Sequence, residues 1–362
     1  MGIWERVANL PLEIESYGLE GLSFRGNGDF ERLTTVIRLT GPGGDGSLTG
    51  LGEDITYTAL DQIAHQDAGA NHDLTGPKTL AEFCELIASL DLFPAPPEME
   101  VSPLYRRWAY ESAALDLALK QAGTDLASHL GRELKPLNFV ASMGLGGGPG
   151  GDESDIGHLK AKLDRYPDLE FKLDPALDWS PSLIAELAGT GAVNTLDLKG
   201  QYNGTPVDIE TDPDLYRRLV EAFPEAWLED PDLTPETREV LKDHWERVTW
   251  DAPIHSVSDI EALEHKPEVI NIKPSRMGGV KSTFDAYDWC EANRVGAYGG
   301  GQWELGIGRR QIQYLAALFH PDTPNDTAPV GYNADLPEPG LPTSPMRVDE
   351  GVFGVVPEGS SR

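Results

Sequence analysis

From about residue 136 the chain repeats one pattern: a short apolar strand, a polar residue at its carboxyl end, and a helix leading to the next strand. Strands are expected near 138–143, 169–173, 193–198, 225–229, 247–251, 269–273 and 295–299, with a weaker eighth near 329–333. Helices at 180–188, 213–222, 234–244, 257–264 and 280–292 fill the intervals. Consecutive βα units must bury both faces of a parallel sheet, as a closed barrel or as an open doubly wound sheet. Polar residues repeated at the strand ends favour the barrel, which builds its chemistry at that end.

The first 135 residues have a different rhythm. PLEIESYGLE alternates, GNGD signals a turn, and ERLTTVIRLT is rich in β-branched residues, so 11–40 reads as strand, turn, strand. LTGLGEDITYT follows the loop GPGGDGS as a short strand and loop, with helices near 58–67 and 78–89. After the Pro-rich DLFPAPPEMEVSP, residues 103–130 are helical, with Ala113, Leu115, Leu117, Leu119 and Ala122 on a broad apolar face. The expected organisation is an α+β domain at 1–135, a barrel at 136–336, and a segment at 337–362 that returns to the first domain.

Charge limits the partners. Lys and Arg number 29 against 60 Asp and Glu, a formal net charge of -31. A main partner of nucleic acid or anionic membrane needs concentrated positive charge, so neither is expected. Two cysteines, Cys84 and Cys290, exclude a disulfide-rich scaffold and a four-cysteine zinc site, and read as buried thiols. The opening MGIWERVANLPLEIESYG has early acids and no long apolar run, and no uncharged apolar stretch approaches membrane-spanning length. A cytoplasmic location is the expectation.

The strand ends carry a specific order of charges. LEFKLDP holds Lys172, NTLDLKG Asp197, AWLEDP Glu229, VTWDAP Asp251 and VINIKPSRMGG Lys273. Successive separations of 25, 32, 22 and 22 residues each span one βα unit. On neighbouring barrel strands the three carboxylates converge into a hard, oxygen-rich site suited to Mg²⁺, with Mn²⁺ as the alternative. The two lysines flank the trio. A substrate carboxylate near such a cation gains an acidified α-C–H, which a lysine can remove while a second lysine serves the other face. Any one of these residues alone reads as a solvated cap or salt-bridge partner; the ordered set of five points to chemistry.

The same residues resemble the enolase superfamily, in its mandelate racemase/muconate lactonizing enzyme branch. The likeness rests on ESAALDLALKQAGTDLASHLG, on KPSRMGG after the sixth strand, and on GGQWELGIG late in the barrel. It implies a modified (β/α)7β TIM-type barrel under an N-terminal α+β capping domain. By motif it implies Asp197, Glu229 and Asp251 as Mg²⁺ ligands and Lys172 and Lys273 as paired acid/base lysines. That pairing resembles the muconate cycloisomerase subgroup. Three positions depart from it: Glu170 begins the second-strand motif where a lysine is usual, Lys199 stands where Asn is usual in Asp197-Leu198-Lys199, and Ala252 follows Asp251 where Glu is usual.

Further residues are substrate-facing or supporting candidates. Glu304 follows three glycines, Arg25 lies in the first capping loop and is placed to pair a distal carboxylate, and Asp335 is placed to meet a substrate ammonium. Lys199 is placed to bind an anionic group or to pair with Glu304. The resemblance implies a small carboxylate-bearing substrate, a homo-oligomer, and a racemase, epimerase or cycloisomerase. An o-succinylbenzoate synthase-like dehydration is the alternative, and a non-catalytic metal-binding protein of the same fold is the second.

Overall fold

The computed structural model describes residues 1–25, 31–44, 46–146, 153–202 and 210–355. The expected GNGD turn, most of the GLGGGPGGDES loop and much of GQYNGTPVDIETD lie outside the described residues.

The N-terminal domain holds β1 (Pro11–Ile14), β2 (Ser16–Arg25), β3 (Glu31–Gly43), β4 (Gly46–Asp54) and β5 (Gly76–Thr79). The alternating stretch expected as one strand divides at Glu15: β1 pairs with β5, while β2, β3 and β4 form an antiparallel sheet. The helix Ser102–Gln121 lies directly on β4. Gly50 and Gly52 make that approach available, since a Cβ on Gly52 would stand 1.9 Å from the Ala109 carbonyl oxygen. The helix also sends Arg106, fully buried, to the Asp54 carboxylate at 2.8 Å.

The second domain is a parallel barrel. β6 (Ala141–Gly144), β7 (Phe171–Asp174), β8 (Val193–Asp197), β9 (Trp227–Glu229) and β10 (Val248–Thr249) are neighbours in that order. β11 (Val269–Ile272) pairs with β12 (Gly296–Gly299). The Asn271 N–H donates to Trp250 O at 3.1 Å, and Thr249 Oγ1 to Val269 O at 2.8 Å, joining β10 to β11. Parallel bridges Gly300–Asp326 and Phe139–Asn325 close the circle, so the eighth position is taken near 325–326. This corrects the expected eighth strand at 329–333, where a 3-10 turn, Val330–Asn333, is found. Pro329 lacks an N–H for a ladder there.

Several barrel helices start the same way, with a side-chain cap followed by proline. Ser180, Asp212 and Thr234 cap helices beginning at Pro181, Pro213 and Pro235, and each accepts an N–H of the first turn. Most barrel strands alternate between the two faces. Phe171, Leu173, Leu196, Leu228, Ile270 and Ile272 belong to the apolar core, while Lys172, Thr195, Asp197, Thr249, Asn271 and Tyr298 are buried polar residues of the intervening positions. The C-terminal segment runs beside the first domain: Leu126 N–H donates to Phe353 O and Val355 N–H to Thr124 O, with Phe353 buried against Tyr314. No helix among the described residues is long and apolar enough to cross a membrane.

Candidate active site

A cavity of about 560 Å³ opens at the carboxyl ends of the barrel strands, roofed by the first domain. Its polar wall includes Lys172, Asp174, Asp197, Lys199, Lys273, Arg276, Arg309 and Asp326, and its apolar rim Tyr57, Met99, Tyr105 and Trp303.

Strand register sets the carboxylates. Asp197 of β8 is the direct partner of Glu229 of β9, which in turn is the partner of Thr249, two residues before Asp251. Oxygens of Asp197, Glu229 and Asp230 lie within 4.8 Å of one another, all three residues buried. Asp230 was not singled out from sequence, because a residue next to Glu229 should point away from it. Its φ of 50° breaks that alternation. The Asp230 carboxylate accepts the N–H of Asp251 at 2.8 Å and of Ala252 at 2.9 Å, bracing the turn that carries Asp251.

Asp251 stands outside that close trio. Its Oδ2 lies 2.7 Å from Lys273 Nζ and its Oδ1 2.7 Å from Arg276 Nη1. Burial works against its charge, yet Arg276, Lys273 and Lys172 hold the carboxyl well below the usual carboxylate range. Burial likewise opposes Asp197, which Lys172 and Lys199 keep well below that range. Glu229 behaves oppositely: burial, with the Asp197 and Asp251 charges, pushes it up to about 8 despite Lys172. Burial and the same two aspartates push Asp230 to about 7.

Burial is the larger cause of both rises and the neighbouring aspartates add to it, so a cation beside the cluster would favour the charged forms. The donors are all oxygen and buried, so the cluster fits a hard divalent ion.

Lys172 is 2 % exposed, and its ammonium donates to Glu229 while lying 3.0 Å from Asp197 and 3.7 Å from Asp326. Burial alone would lower it, but these carboxylates hold it well above the usual lysine range. Lys273 lines the cavity on β11's carboxyl end. Gly300 makes room for it, since a Cβ there would stand 2.2 Å from Lys273 Cε. Beneath it, the Asn271 side chain is buried with neither amide atom hydrogen-bonded.

Lys199, with φ 54°, pairs with Asp197 at 2.5 Å and Asp174 at 3.5 Å, and not with Glu304. Glu304 is 3 % exposed; it accepts the Gln302 N–H and pairs with Arg309 at 3.1 Å, shaping the loop around Trp303. Arg25 and Asp335 are not brought to the cavity. Arg25 is exposed and paired with Glu31, and Asp335 is exposed on the segment held by Lys162. The cap's roof is fixed instead by Arg32 and Glu53. Arg32 donates to the Gln302 and Trp303 carbonyls, while Glu53 accepts N–H groups of Leu305, Gly306 and Gly308 at the start of the helix Ile307–Phe319.

A barrel with an N-terminal α+β cap and carboxylates on successive strand ends is the enolase-superfamily fold, and solved members of that superfamily align with it over most of the chain. The dipeptide epimerase from Methylococcus capsulatus, crystallised with Mg and the dipeptide L-Arg-D-Lys, aligns with a TM-score of 0.64 at 18% identity, covering 87% of this chain and 90% of that one. Muconate cycloisomerase from Pseudomonas fluorescens aligns at 0.63 and 18% identity, over 88% and 87% of the two chains. These likenesses speak for the fold.

Within that fold class, the chain belongs to the family described as "Domain of unknown function (DUF8230)": residues 5–129 match its N-terminal domain and residues 133–334 its C-terminal domain. Two curated relatives are enzymes. The o-succinylbenzoate synthase of Bacillus subtilis (strain 168) is 27% identical over 256 residues, 68% of this chain and 64% of the relative, so less than two thirds of that enzyme is spanned. The N-succinylamino acid racemase of Amycolatopsis is 25% identical over 328 residues, 85% of this chain and 82% of that one.

Proposed function

We propose that this protein is an enzyme that removes the proton α to a carboxylate of a small acid. The observation that carries the reading is the meeting of Lys273 with a buried, anion-rich carboxylate cluster in one cavity at the strand ends. Asp197, Glu229 and Asp251 would hold Mg²⁺, with Mn²⁺ as the alternative, and Asp230 would brace Asp251. A divalent ion held there would supply Lewis-acid stabilisation of the negative charge that develops on the substrate carboxylate. Lys273 takes the α-proton. Lys172 keeps the carboxylates together as an internal counter-cation.

The aromatic rim of Tyr57, Tyr105 and Trp303 gives an apolar or amide-bearing substituent a place to lie. Racemisation or epimerisation of an N-acylamino acid or dipeptide is the primary reading, and the N-succinylamino acid racemase and the dipeptide epimerase support it. An o-succinylbenzoate synthase-like dehydration is the second, supported by the Bacillus relative. Incubating the protein with N-succinylamino acids, dipeptides and the synthase's precursor, in the presence of Mg²⁺, separates the two. Chiral chromatography reads inversion and mass spectrometry reads loss of water. Neither outcome across the panel would sink the proposal.

A further inference from the structure

Lys172 and Asp174 leave β7 two residues apart and therefore on the same, inward face, with Asp174 nearer the cavity mouth. Lys172 touches the cavity wall, but its ammonium is held by Asp197, Glu229 and Asp326, with its side chain 3% exposed. The Asp174 side chain is 33% exposed and lines the cavity. Its Oδ1 receives no hydrogen bond, and Lys199 Nζ stands 3.5 Å away.

Barrel order then places the residue. Counting β6 to β12 and the 325–326 segment as eight positions, β7 and β11 are four apart, on opposite sides of the barrel. Asp174 thus faces the cavity from the side opposite Lys273.

We infer that Asp174, rather than Lys172, is the proton-transferring residue on the face opposite Lys273, so that the site works with a lysine and an aspartic acid. This rests on the proton-abstraction reading above. In one direction neutral Lys273 Nζ takes the α-proton and becomes an ammonium, leaving the C–H electron pair in the substrate's enediolate. The Asp174 carboxylic acid then gives its proton to the same carbon from the other face and becomes a carboxylate. One C–H bond breaks, one forms with inversion, and solvent protons reset both groups. The reverse direction starts from the Asp174 carboxylate and the Lys273 ammonium. Desolvation at the cavity wall raises the Asp174 carboxyl, opposed by Lys199.

Solvent exchange in D₂O with Mg²⁺ tests the assignment, using N-succinyl-D- and N-succinyl-L-phenylalanine and the dipeptides L-Arg-L-Lys and L-Arg-D-Lys. Wild type is expected to exchange both α-epimers of a substrate. Asp174→Asn is expected to keep exchange, without inversion, of the epimer whose C–H faces Lys273, and to lose exchange of the other by about 100-fold or more. Lys273→Met is expected to show the mirror-image selectivity. A D174N protein that still exchanges both epimers overturns the inference. A second arm needs no substrate: D174N should melt at or above the wild-type temperature, and a marked fall would assign Asp174 a structural ion-pair role instead. Wild type that exchanges no probe defeats the underlying proton-abstraction reading, and the inference with it, a result distinct from an active wild type with an unselective D174N.

Discussion

Asp197 and Glu229 are register partners on adjacent parallel strands, so their carboxylates leave the sheet side by side and share the Lys172 ammonium. Like charges so placed are accommodated by a cation between or beside them, or by a proton on one of them. Asp197→Asn and Glu229→Gln are each expected to weaken Mn²⁺ binding by more than about 100-fold. Asp230→Asn, which disturbs only the brace of the Asp251 turn, should cost about tenfold. Isothermal titration on variants whose circular dichroism is unchanged checks the order. Equal losses for all three would place Asp230 among the ligands.

Glu53 is a buried carboxylate of the first domain that accepts three backbone N–H groups of the barrel. It stands at the positive end of the helix Ile307–Phe319. Glu53→Gln puts an amide donor against those donors and is expected to cost about 2–3 kcal/mol in urea unfolding. The same change should loosen the Trp303 loop, read as faster hydrogen exchange at 302–308 with the remaining barrel strands unaffected.

His320 sets an acid limit on stability. Burial holds its imidazole down to about 4, against an ordinary value of 6.5, while Nδ1 meets Asn325 at 2.7 Å. Below pH 6.5 the unfolded chain takes up a proton that the folded chain refuses until about pH 4. Stability therefore falls as pH drops through that window, by roughly 3 kcal/mol from this residue. His320→Gln should flatten that part of the pH–stability curve, and urea titrations at pH 7 and pH 4.5 measure it. An unchanged slope would mean that His320 is charged in the fold.

The barrel was legible because a βα rhythm and inward alternation leave a strong trace, and strand ends naming Asp197, Glu229 and Lys273 fall where the cavity lies. Asp230 was illegible because a positive φ reverses the side its neighbour-on-a-strand position predicts. Asp174 was passed over because the expected strand ended at residue 173, while β7 runs through Asp174 to its last inward position. Arg25 was read toward the site from the capping loop of the resembled family and Asp335 from its place near the expected last strand, and neither position has a periodicity that fixes where the side chain goes. Glu304 does lie beside the cavity, but its charge is spent on Arg309 and the Gln302 N–H. The eighth strand was misplaced by a few residues because the closing segment makes only isolated bridges at Asn325 and Asp326.

In the proposed reaction Lys273 removes an α-proton beside the carboxylate cluster. The direct measurement is α-deuterium incorporation by proton NMR in D₂O, with and without Mg²⁺, for wild type and Lys273→Ala, over N-succinylamino acids and dipeptides. Wild type is expected to show Mg²⁺-dependent exchange at the face Lys273 serves, reduced about 10³-fold in the variant. Exchange that survives unchanged in Lys273→Ala, or its absence in wild type across the panel, would contradict it.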